Sequence, residues 1–362
     1  MKRREFLQAA GLGLATSAVA APAIAQSMPE LKWRLTASWP KSLDTLYGCA
    51  EHFAKRVGEI TDNKFQIQVF AAGEIVPGLQ ALDAVSGGSV EMCHTASYYY
   101  FGKDPSFTFG TALPFGLNAR QQDAWQFHGG GMELLNELYK NHNVWGMPTG
   151  NTSCQMGGWF RKEIKTVDDL KGLKMRIGGF AGLIVSRLGT VVQQLAAADI
   201  YPALEKGAID AAEWVGPYDD EKLGFVKIAK YYYYPGWWEG GAQPHLFINL
   251  AKYNELPKLY QTAIFTAARE AGAWMLGKYD YINPPAIRRL VQSGAELRAF
   301  PQPVMEACFK AANELYAELS KTNPHFKKLL DSLTPFRRES YQWFQVAELS
   351  FDTFQIRMMT RV

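Results

Sequence analysis

Lys64-Phe65-Gln66-Ile67-Gln68-Val69-Phe70 alternates polar and apolar residues, so that Phe65, Ile67 and Val69 share one face. Period two is the signature of a half-buried strand. Just upstream, Leu46, Cys49, Ala50, Phe53, Ala54, Val57 and Ile60 recur at three- and four-residue steps, which predicts an amphipathic helix. Before it, Trp33 to Ala37 reads as a strand closed by the turn Ser38-Trp39-Pro40. Downstream, Pro77 to Val85 predicts a helix stopped by Gly87-Gly88, and Val90 to Thr95 a further strand. Strand, helix, strand, helix, strand implies an α/β fold with helices on both faces of a sheet.

Short strands at Val144–Thr149, Gln155–Phe160 and Leu173–Ile177, separated by Gly-rich turns, open a second lobe. Helices at Phe180–Leu188 and Tyr201–Lys206 and a strand at Ile209–Val215 complete it, and His245–Leu250 reads as a strand returning to the first lobe. The expected boundaries are 26–150 for lobe I, with part of 245–325, and 151–240 for lobe II; length alone favours two lobes. Apolar stripes over Leu259–Met275 and Met305–Leu319 predict core helices. The segment 326–362 differs. There Tyr341, Phe344, Phe351, Phe354 and Met358 run beside Trp343, Val346, Leu349 and Ile356, a helix apolar over more than half its circumference. Such a helix must be covered on two sides, within the monomer or by a second chain.

The chain begins Met-Lys-Arg-Arg-Glu-Phe-Leu, continues apolar from Ala9 to Ala21, and reaches Ala23-Ile24-Ala25 before Gln26. This pattern predicts a cleaved export signal at 1–25, and Arg3-Arg4 followed by Phe6-Leu7 fits the twin-arginine type, placing the mature protein in the periplasm. The apolar run is shorter than the ~20 residues that cross a bilayer. The formal charge is +3, and losing three basic residues and one acid with the signal leaves about +1. That balance argues against a nucleic-acid partner. Aromatics reach 13% and cluster at Tyr98 to Phe101, Tyr231 to Tyr234 and Trp237-Trp238, as a pocket wall or as inter-lobe packing. Cys49, Cys93, Cys154 and Cys308 form no C-x-x-C pair, which points away from zinc knuckles and dithiol sites.

Catalytic signatures fail on inspection. Gly272 to Lys278 has phosphate-loop spacing, but Tyr279 stands where Ser or Thr is required and the segment lies in a helical stripe. Neither a G-x-S-x-G elbow nor H-E-x-x-H occurs, and no two of the six histidines share ligand spacing. What survives is charge in unusual places. Strand parity puts Glu213 on the apolar face of Ile209, Ala211 and Val215, where an ionised carboxylate is costly unless a cation or several donors meet it. Arg176, opposite in parity to Leu173, Met175 and Ile177, ends a strand before Gly178-Gly179, a common ligand position in α/β folds. Its guanidinium suits a bidentate grip on a carboxylate, or an exposed ion pair with a nearby acid. Glu239 lies between Trp237-Trp238 and Gly240-Gly241, and Gln155 follows the polar loop Asn151-Thr152-Ser153. Two carboxylates, an amide oxygen and backbone carbonyls would suit sodium or calcium.

Thr166-Val-Asp-Asp-Leu-Lys-Gly-Leu-Lys-Met-Arg176, Tyr201-Pro-Ala-Leu-Glu-Lys-Gly-Ala-Ile-Asp-Ala-Ala-Glu213 and Gln80-Ala-Leu-Asp-Ala-Val-Ser-Gly-Gly88 resemble segments of the solute receptors of tripartite ATP-independent periplasmic (TRAP) transporters. Tyr98-Tyr-Tyr-Phe-Gly-Lys-Asp-Pro, Gln155-Met-Gly-Gly-Trp-Phe, Glu213-Trp-Val-Gly-Pro-Tyr and Tyr231-Tyr-Tyr-Tyr-Pro-Gly-Trp-Trp-Glu-Gly-Gly are similar to the 2-oxo acid receptors among them. The resemblance implies an α/β, two-lobed periplasmic solute-binding fold with crossing strands, the ligand between the lobes, and a long C-terminal helix exchanged in a homodimer. It implies a receptor rather than an enzyme, delivering a 2-oxo monocarboxylate such as pyruvate to integral-membrane subunits. Substrate would meet Gln155, Arg176, Tyr100 and Asn151. A sodium ion, with calcium as the alternative, would meet Gln155, Glu213, Glu239 and the backbone carbonyl of Trp214. A lactate receptor using calcium, and a metal-assisted enzyme using Glu213 and Glu239 as base and acid, are the rival readings.

Overall fold

Residues 28–359 are described in a computed structural model of the chain; the export signal read at 1–25 lies outside them. The first strand β1 (Leu31–Ala37) is flanked in parallel by β2 (Phe65–Phe70) and β3 (Met92–Thr95), with Leu35 facing Val69 on one side and Met92 on the other. Parallel neighbours need crossovers. Helix α1 (Leu46–Ile60) supplies the first, burying Leu46, Cys49, Ala50, Phe53, Ala54 and Val57 of the predicted stripe and leaving its last member, Ile60, exposed at the helix end. It ends where Asp62 and Asn63 adopt left-handed backbone, which short polar side chains tolerate best. Helix α2 (Ala81–Ser86) supplies the second.

Two further strands complete this sheet, of which the inner one runs antiparallel to both its neighbours. β4 (Val144–Pro148) and β10 (His245–Asn249) give the order β2-β1-β3-β10-β4. Val144–Pro148, expected to open the second lobe, therefore belongs with the first sheet, and the predicted return of His245–Leu250 to that sheet is observed. The second sheet holds β5 (Trp159–Phe160), β6 (Lys174–Arg176), β7 (Val191–Gln193), β8 (Ala211–Ala212), β9 (Tyr231–Tyr234) and β11 (Glu296–Ala299), in the order β11-β9-β5-β8-β6-β7. The chain passes between sheets after β4, after β9 and once more after β10. From β8, helix α3 (Pro217–Leu223) follows.

Helix α4 (Lys258–Gln292) packs against both α1 and α3 and runs 35 residues. The sequence stripe stops at Met275 because Pro284, Pro285 and a polar second half dilute it. Helix α5 (Gln302–Thr322) buries Cys308, Ala312, Leu315 and Tyr316 but leaves Phe309 half exposed. Helix α6 (Pro324–Phe344) continues through a π-helical turn, Gln345–Leu349, into α7 (Ser350–Met359). Along this tail Tyr341, Trp343, Val346, Leu349, Phe351, Phe354 and Met358 are exposed, so among the described residues nothing sandwiches it. All four cysteines are free. Among the described residues, no helix is long and apolar enough to cross a membrane.

Candidate functional site

Glu213 and Arg176 are brought together by β8 and β6, which pair side by side so that the Glu213 N–H donates to the Arg176 carbonyl at 3.1 Å. Both side chains are 1% exposed. The Arg176 guanidinium donates to Glu213 Oε2 at 2.8 Å and to the Glu213 carbonyl at 2.5 Å, and its Nε donates to the Leu195 carbonyl at 3.2 Å. The Gly178 N–H gives Glu213 Oε2 a second donor at 2.7 Å. The face of the Trp214 ring lies 4.8 Å from the guanidinium carbon. The predicted ion pair exists, then, but buried rather than exposed. The strand around Glu213 is shorter than alternation predicts: only Ala211–Ala212 is extended ladder, and Glu213 sits just past it.

Glu239 reaches the same place from the turn after β9. Its carbonyl accepts from the Gln155 N–H at 3.2 Å, and the Gln155 carbonyl accepts from the Gly236 N–H at 3.0 Å, so the two segments are stitched together. A Cβ at Gly236 would sit 2.7 Å from the Gln155 carbonyl oxygen, which is why glycine is required there. Gln155 donates through Nε2 to Thr152 Oγ1 at 3.0 Å. Gln155 Oε1 and Glu239 Oε2 are buried without any hydrogen-bond partner. Buried oxygens in that condition are rare and costly.

The electrostatics follow from charge and burial. Burial pushes Glu213 above the usual carboxylate range, outweighing the pull of Arg176 and the Gly178 N–H. Glu239 is pushed well above it by burial and then by the Glu213 charge, with Tyr98 and Arg176 opposing. Burial also works against the Arg176 charge, yet Glu213, Tyr99 and Tyr98 hold its value above that of a free guanidinium. The pair thus has one partner shifted as a salt bridge demands and one not; burial decides the second. Of the two carboxylates Glu213 alone bonds the guanidinium, and with no cation of its own Glu239 can carry its charge here only at a cost. Oxygen atoms of two carboxylates and an amide form a donor set for a hard cation. Among the described residues, no three of His, Cys, Asp and Glu cluster as a transition-metal site would require.

Beside these groups lies a small cavity lined by Arg176, Glu213, Trp214 and Gln155 together with Trp39, Leu46, Tyr98, Tyr99 and Thr152. Tyr98 and Tyr99 come from the tyrosine cluster flagged in the sequence, whereas Tyr100 does not line the cavity. Its hydroxyl accepts from the Leu82 N–H at 3.1 Å and pairs with Thr95 Oγ1 at 3.0 Å. Asn151 is also placed elsewhere, donating to Gln122 Oε1 at 3.1 Å and accepting from the Ser153 N–H at 2.9 Å. The structure thus unites Arg176, Glu213, Trp214, Glu239 and Gln155 and separates Tyr100 and Asn151 from them. Gly179 closes the arrangement: it has φ +60°, and a Cβ there would lie 2.5 Å from the Tyr98 ring. Gln194, which no sequence signal marks, accepts from the Gly179 N–H at 2.8 Å and donates to the Tyr99 carbonyl at 3.1 Å. The other aromatic clusters are packing: Tyr231–Tyr234 is β9, and Trp237 stacks on Phe115.

Comparison with known proteins gives concordant results. The profile of the bacterial extracellular solute-binding proteins, family 7, matches residues 36–323. A monocarboxylate 2-oxoacid-binding periplasmic protein of Nostoc sp. PCC 7120 is 50% identical over 360 residues, covering 98% of this chain and 99% of that one. A TRAP transporter solute-binding protein from Bordetella bronchiseptica RB50 superposes with a TM-score of 0.91 at 51% identity, over 92% of this chain and 99% of the other. It is described as a mixed-occupancy dimer with copurified calcium and picolinate in one site and the other site apo. A TRAP periplasmic solute-binding protein from Pseudoalteromonas atlantica, with bound sodium and pyruvate, gives a TM-score of 0.86 at 38% identity, over 89% and 98%.

Proposed function

The chain belongs to family 7 of the bacterial extracellular solute-binding proteins, the receptors of TRAP transporters, and from that premise we propose that it captures 2-oxo monocarboxylates such as pyruvate together with a sodium or calcium ion. One observation carries this reading: Glu213 and Glu239 are buried beside a single guanidinium, with Gln155 Oε1 and Glu239 Oε2 unpartnered. Two ionised carboxylates and an incoming anion cannot be buried beside one guanidinium unless a cation accompanies them. A bound cation would supply the missing charge and a Lewis-acidic point for the carboxylate and keto oxygens.

Glu213, Glu239, Gln155 Oε1 and the Trp214 carbonyl would hold that ion, while Arg176 has N–H groups for the ligand carboxylate. The relatives described with sodium and pyruvate, and with calcium and picolinate, support the pairing of ion and planar 2-oxo or 2-aza carboxylate. Trp39, Tyr98 and Tyr99 close the cavity on the side of the first sheet, so the ligand would be trapped as lobes 26–150 and 151–240 hinge together. The closed form would then be the one that integral-membrane TRAP subunits recognise. Export by the twin-arginine route and exchange of the exposed tail in a homodimer complete the proposal; the exposed Trp343, Val346, Phe351 and Phe354 support the dimer.

Calorimetric titration with pyruvate, in sodium, in calcium and after chelation in sodium-free buffer, tests the reading. Binding is expected only with an ion present. Equal affinity in all three conditions would overturn the role of the cation, and turnover of pyruvate would restore the enzyme reading.

A further inference from the structure

Asp44 follows β1 in the first sheet and stands two residues before Leu46, which lines the cavity, yet it is not itself among the lining residues. Its carboxylate gathers donors from two helices. Tyr218 and Lys222, on α3, both reach it, the tyrosine hydroxyl at 3.1 and 3.2 Å to the two oxygens. Lys278, on α4, donates to Oδ2 at 3.1 Å and to the Asp44 carbonyl at 3.0 Å. Lys222 also donates to the Ser42 carbonyl at 3.1 Å and lies 4.5 Å from the centre of the Tyr218 ring. Isolated exposed pairs contribute little, but a carboxylate shared among three donors is a network.

The position of the network gives it meaning. Helix α3 follows β8 of the second sheet, and Val215, which lines the cavity, is three residues before Tyr218. The loop bearing Asp44 belongs with the first sheet. A bond between them crosses from one side of the cavity to the other, while Lys278 comes from the helix that packs against both sides. We propose that Asp44 is a positioning residue of the trap: with Tyr218 and Lys222 it forms a clasp that holds the two sides of the cavity together and so sets how long a captured ligand stays. This rests on the reading of the chain as a closing receptor.

Two consequences distinguish a clasp from a merely structural ion pair. Contacts made only in the closed form act on ligand release and leave entry unaffected. The pairs are also partly solvated, with Asp44, Lys222 and Lys278 side chains 46%, 31% and 25% exposed, so salt should weaken them. A second polar tie near the cavity, Gln194 to the Tyr99 carbonyl, is neutral and should be insensitive to salt.

The test is stopped-flow tryptophan fluorescence of the full-length protein with pyruvate, exploiting Trp39 and Trp214 in the cavity wall, at fixed saturating sodium and with choline chloride varied. Asp44→Asn should speed dissociation roughly 5- to 30-fold with association changed less than about twofold, and should abolish the acceleration of release by choline chloride. Tyr218→Phe, which deletes one oxygen, should give a smaller acceleration and keep the salt response. Wild-type dissociation rates in both variants, or slowed association with unchanged release, would overturn the clasp while leaving the receptor standing. A wild-type protein with no pyruvate response at any ion concentration would overturn the receptor reading and the clasp with it.

Discussion

Replacing Arg176 with methionine removes the only guanidinium from a site that keeps two buried carboxylates. Glu213 would retain one donor, the Gly178 N–H at 2.7 Å, in place of two. Breaking a fully buried pair from one side costs about 3–5 kcal/mol, because the remaining charge has no partner. With an unfolding entropy near 2.1 cal/mol/K for each of about 330 residues, that corresponds to a fall in Tm of roughly 4–7 °C. The loss should depend on pH in a defined direction. Burial already raises Glu213 above the usual carboxylate range, and removing Arg176 raises it further. A carboxyl raised in the folded state contributes stability below its unfolded value and loses it as pH rises through the folded one. The Tm deficit should therefore be larger at pH 8 than at pH 5. Arg176→Met/Glu213→Leu should recover much of the stability and none of the pyruvate affinity. Scanning calorimetry at both pH values and pyruvate titration of the refolded variants are the assays. A deficit under about 1 °C at pH 8, or the same deficit at both pH values, would refute the energetics; near-normal pyruvate affinity in the single variant would refute the role of Arg176 in binding.

Glu239→Gln takes one carboxylate oxygen from the proposed ion site without changing shape, so the stabilisation by sodium or calcium should shrink at least tenfold in apparent affinity, as read by thermal shift. Asp220 accepts from Trp159 Nε1 at 3.0 Å and the Tyr232 hydroxyl at 2.6 Å, and burial pushes it up to about 7. Its contribution is thus full below about 4 and is lost as pH rises through about 7, opposite in sign to the buried His94 and His245, whose values fall to about 4 and about 3. The stability difference between wild type and Asp220→Asn should accordingly shrink from pH 5.5 to pH 8 in urea titrations, and a difference that grows would contradict the assignment. Truncation after Phe344 removes Val346, Leu349, Phe351 and Phe354 and should convert a dimer to a monomer by light scattering, with pyruvate affinity changed less than threefold.

Periodicity found the elements whose burial is one-sided. Helix α1 and strand β2 follow the predicted faces because each packs one face on a core and shows the other to solvent, whereas β3, buried throughout, was marked as a strand without a face. Periodicity failed where both faces are covered. β9, four consecutive tyrosines, has no alternation to read, and β8 is two alanines between a half-buried Asp210 and the buried Glu213. Pairing partners were also invisible. Val144–Pro148 joins the first sheet because β10 returns beside it from about a hundred residues away, a contact that no local pattern encodes.

The same distinction explains the site. Parity placed Arg176 on the face away from Leu173, Met175 and Ile177, and a face away from the core is ordinarily wet, which left an exposed ion pair as a fair reading. Here that face turns toward the rest of the molecule, where Tyr98 packs over Gly179 and Gln194 spans to Tyr99, so Arg176 is as buried as the core residues behind it. A charged residue at the end of a β6-like strand can be read as buried only if something is known to cover it, and the cover comes from residues about 75 positions earlier. Tyr98 and Tyr99 were visible in the sequence as aromatics without a helical or strand period. Tyr100, adjacent to them, points into the first sheet's own packing, and nothing in a run of three tyrosines distinguishes the two that line the cavity from the one that does not. The charges, by contrast, were legible because their cost is local: an acid at Glu213 among Ala211, Ala212 and Val215 demands a partner wherever the chain goes, and the fold supplies Arg176 at 2.8 Å while leaving Glu239 and Gln155 with oxygens still to be met.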